Sequence, residues 1–92
     1  MFTFINNKIE YKCHGVVRTC QHGISLLLET KAGNWIVANG ANITCEKFVA
    51  QSTGIASGDW NHGHYYMEDE WKAREYFRHL QENALSEEVE EQ

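Results

Sequence analysis

A chain of 92 residues has room for one domain with a modest core, and 42% hydrophobic and 12% aromatic content is enough to fill it. A net charge of −5 disfavours nucleic-acid binding, which needs clustered Lys and Arg. No apolar run approaches the roughly 18 residues of a membrane span, and the N-terminus lacks the basic and apolar regions of a secretory signal.

The cysteines, Cys13, Cys20 and Cys45, are odd in number and widely spaced. That argues against a disulfide framework and for a reducing compartment, so the expected location is the cytoplasm. The charge is uneven. Residues 1–64 hold five Lys/Arg and four Asp/Glu, whereas residues 65–92 hold three and nine. An acidic arm suits solubility or attraction to a basic partner surface.

Residues 2–5 read as a strand, and Asn6 and Asn7 tolerate the positive φ of a tight hairpin. Residues 8–13 alternate, with Ile9 and Tyr11 on one face and Lys8, Glu10 and Lys12 on the other. His14-Gly15 bends or bulges the chain, and residues 16–20 resume an extended run. After a turn at Gln21-His22-Gly23, residues 24–30 contain Leu26, Leu27 and Leu28, as in a central strand covered on both faces. A four-residue turn, Lys31-Ala32-Gly33-Asn34, returns the chain into a strand over 35–38.

Asn39 to Asn42 break the sheet. Residues 43–51 suit a short helix or an extended crossover, and equally an irregular strand. The small polar residues 52–58 read as a mobile loop of the kind that carries function. Residues 60–66 read as the last strand, with Gly63 permitting a bulge or close backbone approach.

Residues 66–85 follow a helical period. Tyr66, Ala73, Tyr76, Phe77, Leu80 and Ala84 share one apolar sector, the pattern of a helix laid on a core. Glu68, Asp69 and Glu70 suit the positive end of the helix dipole. No residue just before position 66 makes a good N-cap. Glu75 with His79 and Arg78 with Glu82 have the spacing of i,i+4 pairs. A second stripe of Met67, Trp71, Arg74, Arg78 and Leu85 lies roughly opposite the core stripe. Trp71 there either folds over the sheet edge or under a loop, or anchors a partner. Trp, Met and Arg are the residues enriched at interfaces.

For chemistry, His62 and His64 share a strand face, and Cys20-x-His22 lies in the first half. Together Cys20, His22, His62 and His64 form an alternative metal site, with zinc the best match by softness. None has the paired spacing of a zinc finger, and no helical His-Glu-x-x-His occurs. Each cysteine reads as a small buried thiol rather than a nucleophile. No Gly-x-Gly-x-x-Gly, P-loop or Gly-x-Ser-x-Gly is present, and an enzyme is not expected. No metal or cofactor is expected in the primary reading.

Trp60, Gly63-His64-Tyr65 and the helical Ala73 to Phe77 spacing resemble small proteins of bacterial phages and mobile elements. The short, acidic build is similar to anti-CRISPR proteins, the inhibitors that phages make against bacterial immunity. That resemblance covers about a fifth of the chain. It implies a compact cytoplasmic protein in a bacterial host that binds an immune nuclease or its nucleic-acid channel, and it transfers no individual residue.

The expected fold is α+β, an antiparallel sheet of four to five strands with the C-terminal helix packed on one face. Residues 1–85 form the domain and 86–92 an acidic flexible tail. The expected function is a non-enzymatic protein-binding inhibitor. Its partner-binding residues are Met67, Glu68, Asp69, Glu70, Trp71, Arg74, Glu75 and Arg78. The partner presents a basic surface, with no direct nucleic acid and no membrane involved. The alternatives are a Cys/His metal-binding regulatory domain and a homodimeric module that buries Trp71 against its own copy.

Overall fold

The computed structural model describes residues 2–43 and 54–84. They form seven strands and one helix: β1 (Phe2–Asn6), β2 (Ile9–Thr19), β3 (Gly23–Thr30), β4 (Trp35–Asn39), β5 (Asn42–Ile43), β6 (Ile55–Asp59), β7 (His62–Met67) and α1 (Glu70–Glu82). The order across the sheet is β5-β6-β1-β2-β3-β4-β7. The fold is therefore α+β, with more strands than the four or five expected.

The sheet is also not purely antiparallel. β6 runs parallel to β1, with Thr3 opposite Ile55 and Ile5 opposite Ser57. Residues 55–58 are thus strand, not mobile loop. The expected helix or crossover at 43–51 lies outside the described residues except for Ile43, which pairs with Gly58 in β5.

The ladder between β4 and β7 and that between β5 and β6 share one register. Asn39 faces His62, and three residues on, Asn42 faces Asp59. β4–β5 and β6–β7 are therefore the two arms of a single bent antiparallel pair. Gly40-Ala41 and Trp60-Asn61 are its two corners, pinned by Asn61 N–H donating to the Asn39 and Gly40 carbonyls at 3.2 and 3.3 Å. One half of the pair continues the sheet from β3, and the other half reaches β1. The sheet accordingly rolls up on itself, since a two-residue link spans only about 10 Å.

Rolling creates an inside and an outside, and each has its own core. The inside holds Phe2, Phe4, Cys13, Leu26, Leu28, Ile36, Ala38, Ala41 and Ala56. Trp60 closes one part of it, with its ring 6.3 Å from Phe4 and edge-on to Tyr11 at 5.6 Å. Outside, Val17, Leu27, Trp35 and Val37 meet Ala73, Phe77 and Leu80 of the helix. Strand alternation explains the split: Leu26 and Leu28 point in, Leu27 points out, and all three are buried. The triple-leucine reading is borne out.

The turns follow local chemistry. The β1–β2 hairpin turns at Asn7-Lys8, both with positive φ, one residue later than the Asn-Asn pair suggested. The β3–β4 hairpin is where the sequence placed it, closed by Thr30 N–H to the Asn34 carbonyl at 2.9 Å. The bulge at His14 shifts the β2–β3 register between Cys13 and Gly15. Gly15 then lies beneath Phe77, and a Cβ there would come within 2.8 Å of the ring.

Candidate functional site

The helix starts four residues later than its apolar period suggested. Tyr66 and Met67 belong to β7, and Asp69 is the N-cap: its Oδ1 accepts from the Lys72 N–H at 3.1 Å. The sequence reading ran the helix through a strand because β7 turns its alternate residues toward the helix. Tyr66 packs on the outer core from the strand, and so mimics one more helical turn. Ala84, placed in the apolar sector, lies beyond the helix and is exposed.

The joint between β7 and α1 is tight. Asp69 N–H donates to the Tyr66 carbonyl at 3.0 Å, and Met67 takes φ 55 to make the reversal. Non-glycine residues at positive φ are uncommon, so the joint holds some backbone strain. It presents Met67 and Trp71, 65% and 68% exposed, within five residues of each other in sequence. Glu68 and Glu70 are also exposed, as is Asp69 apart from its capping oxygen. Trp71 is therefore not folded over the sheet edge or under a loop, the first of its two readings.

The remaining stripe residues divide. Arg74 is engaged within the fold: its Nε lies 2.7 Å from Glu70 Oε2, and its guanidinium sits 5.0 Å from the centre of the buried Trp35 ring. His14 stacks against the same indole at 4.9 Å and reaches Glu29 Oε1 at 2.9 Å. Arg78 is exposed and Glu75 is half-buried. Helix pairing differs from the expected Glu75–His79 and Arg78–Glu82: Glu70–Arg74 and a looser His79–Glu82 contact at 3.6 Å are formed. Leu85 and the expected acidic tail, 86–92, lie outside the described residues.

The histidines form a second feature. His62 and His64 share the helix-facing side of β7, with ring centres 5.0 Å apart, and His64 lies 4.7 Å from the Tyr76 ring. Burial, then the charges of His62 and His22, lower the His64 pKa below its ordinary value. Beside them runs a buried polar chain. Ser25 Oγ donates to Asn39 Oδ1 at 2.6 Å, and Asn39 Nδ2 donates to Tyr76 Oη at 3.1 Å. It fixes where the helix sits on the sheet, because each member buried without its partner would be costly.

Cys20 is exposed and lines a shallow groove of about 270 Å³ with Thr19, His22, Leu80 and Asn83. Among the described residues, no three His, Cys, Asp or Glu side chains gather closely enough to hold a metal ion. The proposed set of Cys20, His22, His62 and His64 is thus not assembled as a metal centre. Cys13 is buried, and burial pushes its thiol pKa up to about 11, which suits packing rather than attack.

Sequence reading missed Tyr65, which is 61% exposed on the face of β7 opposite the histidines. The alternation of His62, His64 and Tyr66 with Gly63 and Tyr65 carries that signal, and the register shift at Tyr66 sets Met67 outside it, opposite Trp35. Among the described residues no helix is long and apolar enough to cross a membrane. Comparison of the chain with protein-family models, curated proteins and solved structures gives no match.

Proposed function

We propose that this chain is a non-enzymatic protein-binding module, most concretely an inhibitor of the phage type that blocks a bacterial immune nuclease complex. The observation that carries the reading is Trp71. It is 68% exposed on a helix whose opposite face, Ala73, Phe77 and Leu80, is at most 6% exposed. The fold has no use for an indole there, and an exposed tryptophan beside a methionine is what interface anchors look like.

The charge around it supplies the partner class. Glu68, Asp69 and Glu70 flank the anchor, and the chain carries four further glutamates between 86 and 92. Such a surface is complementary to a basic groove that otherwise holds nucleic acid. In this mechanism Trp71 and Met67 fill an apolar recess, and the carboxylates occupy phosphate positions.

Affinity capture with the full chain from a bacterial lysate tests the reading. The expected catch is a nucleic-acid-binding complex that is released by added salt and displaced by its own nucleic acid. A captured protein that ignores both salt and nucleic acid would exclude the inhibitor mechanism.

A further inference from the structure

We infer that β7 is a docking edge that takes up an extended segment of the partner by strand addition, the segment being apolar at alternate positions and flanked by Lys or Arg. This rests on the protein-binding reading above and states how the partner engages. β7 ends the sheet order, and among the described residues its ladder is to β4 alone. Along its other edge every second backbone N–H and C=O lacks a strand partner among the described residues. The opposite edge of the order is β5, a strand of two residues.

Natural edge strands are commonly blunted by Lys, inward charges or proline. The six residues of β7, His-Gly-His-Tyr-Tyr-Met, contain no Lys, no carboxylate and no proline. The register shift between Trp35 and Ile36 falls opposite Tyr66, so it disturbs only the last part of the strand. The stretch from His62 to Tyr65 stays regular.

The side chains beside this edge suit a guest. Tyr65, opposite Ile36, and Met67, opposite Trp35, are 61% and 65% exposed. The Tyr65 ring lies over Gly63, where a Cβ would come within 2.9 Å of it. Tyr65 thus forms a flat apolar ledge along the edge. Glu68, Asp69 and Glu70 follow immediately, all exposed, so a segment running past Met67 meets three carboxylates. Charge also weighs against a second copy as the guest, because two chains of net charge −5 repel.

The test uses the isotope-labelled full chain and three kinds of blocked peptide, four peptides in all. The first has the sequence Lys-Lys-Val-Thr-Val-Tyr-Val-Lys-Lys. The second is the same peptide with its alternate backbone nitrogens methylated, made in both registers. The third has glutamate in place of every lysine. The first peptide is expected to slow hydrogen exchange at alternate β7 amides by about tenfold or more. One methylated register should lose binding while the other keeps it, and the glutamate peptide should bind at least about tenfold more weakly.

Absent binding by the first peptide, protection elsewhere than β7, or equal binding by both methylated peptides would each overturn the inference. So would β7 protection that grows with protein concentration alone, which would mark a second copy as the guest. Capture of the natural partner by the Trp71→Ala variant separates the two proposals. If the peptides fail but capture still depends on Trp71, strand addition is wrong and the binding module stands. If β7 is protected but capture ignores Trp71, the anchor is wrong.

Discussion

Lys8 holds φ 70 at the second position of the β1–β2 turn, a conformation that costs an L-residue about 1 kcal/mol and glycine almost nothing. Lys8→Gly is therefore expected to raise stability by roughly 0.5–1 kcal/mol in a denaturant melt. An unchanged or lower midpoint would mean that Lys8 makes a compensating contact. His64 gives the pH dependence. Its folded pKa lies below the unfolded value of about 6.5, so the unfolded chain takes the proton more readily. Stability should then fall as pH drops below about 6.5 and level off below the folded pKa. His64→Gln should flatten that fall. A wild-type melt as flat as the variant's would show that His64 titrates as if free. These residue-scale features were partly legible. Asn7 announced a turn, but the shift by one onto Lys8 depends on the register with β2, which hairpin chemistry alone does not fix.

At the scale of elements, the contact that seats the helix is Phe77 over Gly15. Phe77→Ala should cost about 3–5 kcal/mol, as a buried ring lost from a packed face. Gly15→Ala should cost roughly 1–3 kcal/mol, because the new methyl meets that ring. The two should be strongly non-additive, since Gly15→Ala in the Phe77→Ala background fills space instead of colliding. Simple additivity in that cycle would show that the ring moves aside freely. The His14-Gly15 bulge was legible as a bend, but its purpose, room for an aromatic ring 62 residues away, is a tertiary fact. β6 was illegible for a related reason. Residues 54–58, Gly-Ile-Ala-Ser-Gly, have the composition of a loop. They become strand because β1 pairs on one side and β5 on the other, with Gly58 passing so close that a Cβ would overlap the Asn42 carbonyl. The helix core face was legible because Ala73, Phe77 and Leu80 keep one period. Its start was not, because strand and helix present Tyr66 and Tyr76 to the same core.

For the whole molecule, charge and exposed surface decide how it meets a partner. Removing residues 86–92 takes away four glutamates and leaves the joint acidic. Association with a basic partner should slow on that deletion and on raising salt beyond physiological strength, where the Debye length is about 8 Å. A rate indifferent to both would confine the acidity to solubility. The exposed stripe was legible at this scale, since a residue two positions from Ala73 points about 160° away from it on a helix. The rolling of the sheet was not, because it rests on a parallel pairing and two corners with no local signature. The most direct measurement is the affinity of the captured partner for Trp71→Ala, read beside that variant's thermal melt. The expected result is a loss of binding of about 2 kcal/mol or more, roughly 30-fold, with stability held within about 1 kcal/mol. Unchanged affinity, or a stability loss of several kcal/mol that explains the weaker binding, would contradict it.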